Sequence, residues 1–595
     1  MHVDGAAGSW CSSGVNRQSS IRVLFVLLLA AAFVPALRAQ KVPVTEHILP
    51  NGLKVLLLER HDAPDVAGGW VAKVGSANER PGITGIAHLF EHMMFKGTPT
   101  IGTKDFKKDV EILNAQERVR ELMREEEAKL RAAWRRGEID DPQKPENRTP
   151  RLRELGKEFQ QLVEEQRKIL VKNEFDRIYT AGGGSQMNAY TSYDVTAYFI
   201  TVPANKLELF MWMESERILR PIFREFYAER DVVFEERRMR TDSTPLGKFA
   251  EAFESLFWES HPYSWPIIGW PSDIAAISRE QADDFYATYY APQNLTLILV
   301  GDFDSKRTLA MVEKYFGRIP KGKKATPDVV TLEVAQNAEK RMYAEAETNP
   351  QVDILWHTVA YGHADSYPLS VLAQILSTRT GRLYKNLVLG PQVATETWAW
   401  QGSRKWAGQF NLGGECRDGR KPEEVEQAIY AELDKLKNED LPAAELQKVK
   451  NNFAAGEYRR LANNHAILQQ LMRAEGAGDW REINEGGPRL QTVTAADVRR
   501  VANKYFTKEN RAVAVYTRKA GAATDEPDFA GLSDQQKPVA RKVLSTIKAE
   551  TNLAALKQRA QQLDEQLSKA EAKTQTFLKL LRKKTQERIA ELEKK

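Results

Sequence analysis

The sequence predicts an α+β protein of two homologous halves, each a mixed sheet packed with helices, with an inserted helical hairpin and a helical C-terminal tail. Three observations carry this reading. Strand and helix patterns alternate from residue 45 to about 320, a helix–strand unit recurs at a constant offset, and two charged helical stretches fall outside the repeat.

At 595 residues the chain is too long for one core. Apolar residues make up 42% and charged residues 28%, with a mean hydropathy of −0.50, as expected for globular halves accompanied by long solvated helices. A net charge of +5 is small for this length and argues for neither nucleic-acid binding nor an acidic partner; no nucleic-acid partner is expected.

The N-terminus reads as a cleavable secretory signal over 1–39. Arg17 and Arg22 precede the apolar run "VLFVLLLAAAFVPA" (23–36), and a small residue, Ala39, follows. An uncleaved anchor or a misplaced start is the alternative, although the run is short for a spanning helix. Cleavage would remove Cys11 and leave Cys416 alone, so no internal disulfide could form. An exported, periplasmic bacterial protein with no membrane attachment after cleavage is expected.

"HILPNGLKVLLLER" (47–60) places a Pro-Asn-Gly turn between apolar stretches, a hairpin signal. "DVAGGWVAKVGSA" reads as a strand, and a helix carries "IAHLFEHMMF". A strand at "VTAYFITVP", helices over roughly 205–258, a helix at "SREQADDFYATYY" and a strand at "LTLILVGDF" follow. The repeat lays 277–300 on 493–516: Ser278 meets Thr494, Tyr289 meets Tyr505 and Asn294 meets Asn510, all 216 positions apart. Each copy has a hydroxyl N-cap, an amphipathic helix, a polar turn with Asn and an apolar strand. The expected halves are 41–325 and 326–520, followed by a linker and helical, coiled-coil-like tail over 521–595.

Residues 115–175 form the predicted insertion, an antiparallel helical hairpin with Val119, Leu122, Leu130, Leu152, Leu155, Phe159 and Leu162 at helical spacing. A solvated spacer and a partner-docking element remain equal readings of this hairpin and of the tail.

The chemistry centres on "HLFEH" (88–92). His88 and His92 lie four apart, so a helix presents both imidazoles on one side, where they suit a divalent metal, zinc first. Glu91 sits close to that face and could take a proton from a water that zinc would acidify to a pKa of about 7. The order is the inverzincin pattern. Two histidines on an ordinary helix are the other reading, and a third ligand is the test. "FYAERDVVFEERRMR" (226–240) is the best source, with Glu229 and Glu236 seven apart on one helix face.

"HLFEHMMFKGT", "GGGSQMNAYTSYDVTAYF", "ERDVVFEE", "HPYSWPIIGW" and "YYAPQNLTLILVGDFD" occur in the order seen in the pitrilysin/insulinase family of zinc metallopeptidases. The chain is most similar to its shorter, mitochondrial-processing-peptidase-like bacterial members, over 45–320 and more weakly over 340–516. The resemblance implies duplicated α+β domains that enclose a chamber, usually by pairing two chains, and one zinc per active chain. It implies that His88, His92 and Glu236 are the zinc ligands, that Glu91 is the general base, and that Glu229 holds a ligand histidine from behind. It also implies that the strand at "GGGSQMNAYTS" accepts an extended peptide, with Asn188, Ala189 and Thr191 as substrate-binding positions; an ordinary sheet edge is the alternative.

The sequence departs from the family in two places. The insertion lengthens the spacing between His92 and Glu236, and the Arg and Tyr that many relatives carry seven apart correspond here to Val388 and Thr395, with Arg382 and Tyr384 off register. The second half has no HxxEH. The expectation is a zinc endopeptidase acting on unfolded or short peptides, the catalytic subunit of a heterodimer whose paralogous partner supplies the Arg/Tyr pair, or a homodimer. The competing expectation is an inactive structural, assembly or adaptor protein of the cell envelope.

Overall fold

A computed structural model describes residues 41–519, 529, 532, 536–550, 552–570 and 572–593. The signal expected over 1–39 lies outside the described residues. Among those described, the strands form two mixed sheets. The first contains β1 (Thr45–Ile48), β2 (Lys54–Glu59), β3 (Asp65–Ala72), β4 (Ser185–Thr191), β5 (Thr196–Pro203) and β6 (Leu295–Gly301) in the order β1-β2-β6-β3-β5-β4. The second contains β7 (Lys340–Ala346), β8 (Gln351–Thr358), β9 (Ala394–Ser403), β10 (Gly408–Cys416) and β11 (Arg511–Arg518) in the order β7-β11-β8-β10-β9. Apart from β1, the pairings match one for one. β2 runs parallel to β6 as β7 does to β11, and the remaining neighbours are antiparallel in both. The Pro-Asn-Gly turn closes the β1–β2 hairpin with Gly52 at φ +92°, where a Cβ would stand 2.9 Å from that of Gln293.

Several helices bear on the site. In chain order they are α1 (Ile86–Met93), α2 (Phe106–Arg135), α3 (Pro150–Ile169), α4 (Phe226–Arg237), α5 (Gly247–Phe257), α6 (Arg279–Tyr289), α7 (Asn464–Ala477) and α8 (Ala495–Tyr505). The tail adds α9 (Gln536–Ala549), α10 (Leu553–Lys569) and α11 (Ala572–Glu593), packed through Ile547, Leu556, Leu563, Leu578 and Leu581. No helix among the described residues is long and apolar enough to cross a membrane.

The repeat seen in the sequence is a repeat of structure. α6 and α8 both begin in capping boxes, Ser278 with Gln281 and Thr494 with Asp497. The side-chain amides of Asn294 and Asn510 donate to the carbonyls of Tyr289 and Tyr505, each at 2.8 Å. The two polar turns therefore close in the same way.

The halves also exchange a helix. α5 and α7 occupy equivalent places in the two copies, yet each covers the sheet of the other half. Ile467, Leu468, Leu471 and Met472 of α7 pack on Leu56, Val71, Ala197 and Ile298 of the first sheet. Phe253 and Phe257 of α5 pack on Leu355, Ala512, Ala514 and Tyr516 of the second. Burial is worth about 1.5–3 kcal/mol for each such aliphatic side chain. The four from α7 thus contribute on the order of 6–12 kcal/mol as an upper bound, comparable to the whole net stability of a domain. Glu475 near the end of α7, fully buried, adds ion pairs to Lys54 (2.9 Å) and Lys73 (2.7 Å) of the first half.

The hairpin expected over 115–175 is present as the antiparallel pair α2 and α3; its first helix begins earlier, at Phe106, where Asp105 caps α2, accepting from the Lys108 N–H at 3.0 Å. Thr149 caps α3 in the same way. Val119, Leu130, Leu152 and Leu155 are buried, whereas Leu122 is exposed. The seam is also interrupted by a buried polar layer, in which Gln116 donates to Gln166 at 3.1 Å.

Candidate metal centre

α1 is held by its surroundings at its N-terminal end and along one face. Gly85 precedes it at φ +91°, where a Cβ would stand 2.5 Å from the Ile268 carbonyl. The buried Glu79 carboxylate accepts from the N–H groups of Gly85 (2.9 Å) and Ala87 (2.8 Å), satisfying donors that a helix start leaves unpaired. Ile86, Leu89, Phe90 and Met93 bury the opposite side, which leaves His88 and His92 facing α4, with ring centroids 5.0 Å apart.

α4 presents both expected glutamates to that face. Glu236 Oε2 lies 3.4 Å from His92 Nε2 and 3.8 Å from His88 Nε2, and one donor atom from each of the three residues falls within 4.8 Å of the others. Two ligands on a tetrahedral zinc, each about 2.0–2.1 Å away, stand roughly 3.3 Å apart. The donor set therefore fits zinc by its chemistry, with both Glu236 pairs near that spacing and the whole set, within 4.8 Å, closing on the ion. Burial pulls the His88 imidazole down to about 3, so it is neutral at working pH, the state in which imidazole binds a metal. Its Nδ1 is buried with no hydrogen-bond partner among the described residues.

Glu229 does not join that set. Its Oε1 lies 2.9 Å from His92 Nδ1, and its other oxygen pairs with Lys96 at 2.5 Å. Burial pushes the Glu229 carboxyl up, but His92 and Lys96 outweigh it and hold the group at about 2. Burial likewise pulls His92 down, and its bond to Glu229 with the neighbouring charges of Glu236 and Glu91 outweighs that and raises it. Arg240 pairs with the Oε1 of Glu236 at 2.5 Å, leaving Oε2 toward the histidines. Neither Lys96 nor Arg240 was identified from the sequence. Each stands four residues beyond a candidate ligand, a spacing that offered a signal.

Glu91 is not part of the donor set; it reaches β4, where the Thr191 hydroxyl donates to its Oε2 at 2.7 Å. Burial raises its carboxyl above the usual range, against that hydrogen bond. β4 is the edge strand of the first sheet. Asn188 and Ala189 line a cleft of about 430 Å³ together with Glu91, His92 and Glu229. The Asn188 side-chain oxygen accepts from the Ala189 N–H at 2.9 Å, so a peptide pairing there must displace that contact. All eight residues singled out in the sequence therefore surround one centre.

The second half offers no Arg or Tyr at the two family positions. Val388 is buried in the second core, and the Thr395 hydroxyl donates to Glu415 at 3.0 Å. Arg382 is engaged in an ion pair with Glu445 at 2.8 Å.

The chain matches two family models: "Insulinase (Peptidase family M16)" over residues 54–119, and "Peptidase M16 inactive domain" over residues 276–453. The first contains His88, Glu91 and His92, and the second contains none of the candidate site residues. The zinc protease PqqE of Helicobacter pylori is 26% identical over 479 residues, spanning 79% of this chain and 91% of that protein. The crystal structure of a Helicobacter pylori protease aligns with a TM-score of 0.65 at 24% identity, covering 80% of this chain and all of that one. The periplasmic protease PqqL of Escherichia coli aligns with a TM-score of 0.60 at 19% identity, over 82% of this chain and 49% of that one.

Proposed function

We propose that this chain, which belongs to the insulinase (M16) peptidase family, is a zinc-dependent endopeptidase acting on unfolded or short peptides. The observation that carries the reading is the convergence of His88, His92 and Glu236 beside a carboxylate, Glu91, that reaches the open edge of a sheet.

In this reading His88, His92 and Glu236 hold the metal, and Glu229 and Arg240 fix the orientation of two of them. Zinc, when bound, supplies Lewis acidity toward a water and toward the peptide carbonyl. The peptide adds to β4 as an extra strand, so Asn188, Ala189 and Thr191 set its register through main-chain pairing. Glu91 takes the proton of the attacking water and returns it to the leaving amine. Its burial suits this task, because a carboxylate with a raised pKa is a stronger base than an exposed one. Thr191 keeps it aimed along the edge. In the test, Glu91→Gln retains zinc and loses peptide cleavage, whereas Glu236→Gln loses zinc. Retained cleavage by Glu91→Gln would refute the assignment.

The groups that grip the substrate carbonyl in the transition state are assigned to a paralogous partner chain, because Val388 is buried in a core and Thr395 is bonded to Glu415. Full peptidase rate by the purified chain alone would sink this part. A catalytically silent assembly or adaptor role is the second reading. The match of 276–453 to an inactive-domain model favours it for the second half, while the complete donor set favours activity for the first. Export to the periplasm is supported by the signal-like sequence over 1–39 and by the similarity to PqqL, a periplasmic protease of Escherichia coli.

A further inference from the structure

The inserted hairpin ends in a buried ion pair at its base. Asp109, in the first turn of α2, has no exposed surface and accepts a hydrogen bond from Nε of Arg224, itself 1% exposed. The other nitrogens of that guanidinium donate to main-chain carbonyls of the loop that follows α1: Lys96 (3.1 Å), Thr98 (2.7 Å) and Ile101 (2.9 Å). Gly97 at φ +98° and Gly102 at φ +96° let that loop wrap the side chain. A Cβ on either would come within 3.0 and 3.1 Å of Nη1. The second Asp109 oxygen accepts from Gln166 of α3 at 2.9 Å, and Gln166 in turn accepts from Gln116 of α2. One guanidinium thus joins the loop leaving the histidine helix, the residues entering the glutamate helix, and both helices of the insertion.

We propose that the hairpin is a clamp that fixes the separation of the two helices carrying the metal donors, with Asp109 and Arg224 as its positioning residues. Arg224 grips the carbonyl of Lys96, one turn past His92, and stands only five residues before Glu229. A shift of the clamp is therefore a shift of α4 against α1. A second strut lies about two turns further along the hairpin. Tyr227 of α4 donates to Glu117 of α2 at 2.6 Å, and Arg120 lies 4.8 Å over its ring. Metal donors must be held to about 0.5 Å to keep affinity, and neither helix has that precision from its own sequence. With Asp109 neutralised, Arg224 is a buried cation without a carboxylate, and the loop at 96–101 must rearrange to hydrate it.

The inference rests on the zinc-site reading. The test is zinc affinity of the full chain, by competition with a chromophoric chelator, together with the visible spectrum of the Co(II)-substituted protein and the melting temperature of the metal-free form. Asp109→Asn is expected to weaken zinc binding roughly 10-fold or more and to alter the Co(II) spectrum. Tyr227→Phe should do so by a smaller factor. If Asp109→Asn fails to fold, Tyr227→Phe and Glu117→Gln decide by the same criterion. Variants that melt lower but bind zinc as tightly, with an unchanged spectrum, would overturn the clamp and leave the zinc site standing. A wild-type chain that takes up no zinc would overturn both.

Discussion

His92 Nδ1 and Glu229 Oε1 stand 2.9 Å apart, with Lys96 Nζ on the far oxygen of the same carboxylate at 2.5 Å. This relay turns the other ring nitrogen of His92 toward Glu236 and makes it a better donor. Glu229→Gln keeps the shape but loses the charge and the Lys96 ion pair. Zinc affinity is expected to fall by roughly 10–100-fold, read by chelator competition. An unchanged affinity would show that packing alone orients the ring.

Glu91 and Thr191 define the pH behaviour. The Thr191 hydroxyl donates to the Glu91 carboxylate and lowers a pKa that burial has raised. Removing the donor with Thr191→Val should raise the Glu91 pKa further. As the base acts only when ionised, the acid limb of the kcat/KM profile should move to higher pH, with little change on the alkaline side. Glu91→Gln should lower kcat by about 10²–10⁴-fold with zinc content intact.

The exchanged helices carry a stability prediction. Leu468 of α7 and Phe257 of α5 are fully buried, each against the sheet of the other half. Leu468→Ala should cost about 2–5 kcal/mol and Phe257→Ala about 3–5 kcal/mol. Both should shift one common unfolding transition in denaturant titration. Two separable transitions would contradict the coupling of the halves.

Asp365 ties α8 to the helix at Ser366–Ser377. Burial pushes its carboxyl up, but bonds from Tyr505 (2.7 Å), Lys504 (2.9 Å) and Arg500 (2.7 Å) outweigh this and hold it well below the usual carboxylate range. A depressed folded pKa contributes stability above the unfolded value, near 3.9, that is lost as pH falls toward the folded value. Asp365→Asn should therefore cost on the order of 1 kcal/mol at neutral pH. That difference should shrink below about pH 4, as checked by urea unfolding at the two pH values.

Much of the site was legible because its signals are local. The spacing of His88 and His92 and the seven-residue step from Glu229 to Glu236 are properties of single helices. The capping boxes at Ser278 and Thr494 belong to short windows in the same way. That the first helix of the hairpin begins at Phe106 was not legible, because Asp105 acts as a cap only once the chain before it has turned, and neither composition nor periodicity marks that turn. Arg224 and Asp109 escaped notice because each alone reads as a surface charge; 115 positions separate them, and only burial shows that they pair.

By itself the sequence determined which elements form, that they recur, and which side chains can bind a metal or take a proton, since helical period, caps and side-chain chemistry act over a few residues. Tertiary structure decided which glutamate faces both histidines and which one stands behind His92. It also decided that Glu91 reaches the sheet edge, that each half is covered by a helix of the other, and that Arg224 and Asp109 join the helical hairpin to the helices carrying the candidate metal donors. Those outcomes depend on apolar faces and buried charges finding partners a hundred or more residues away, and only the packed chain brings such groups together.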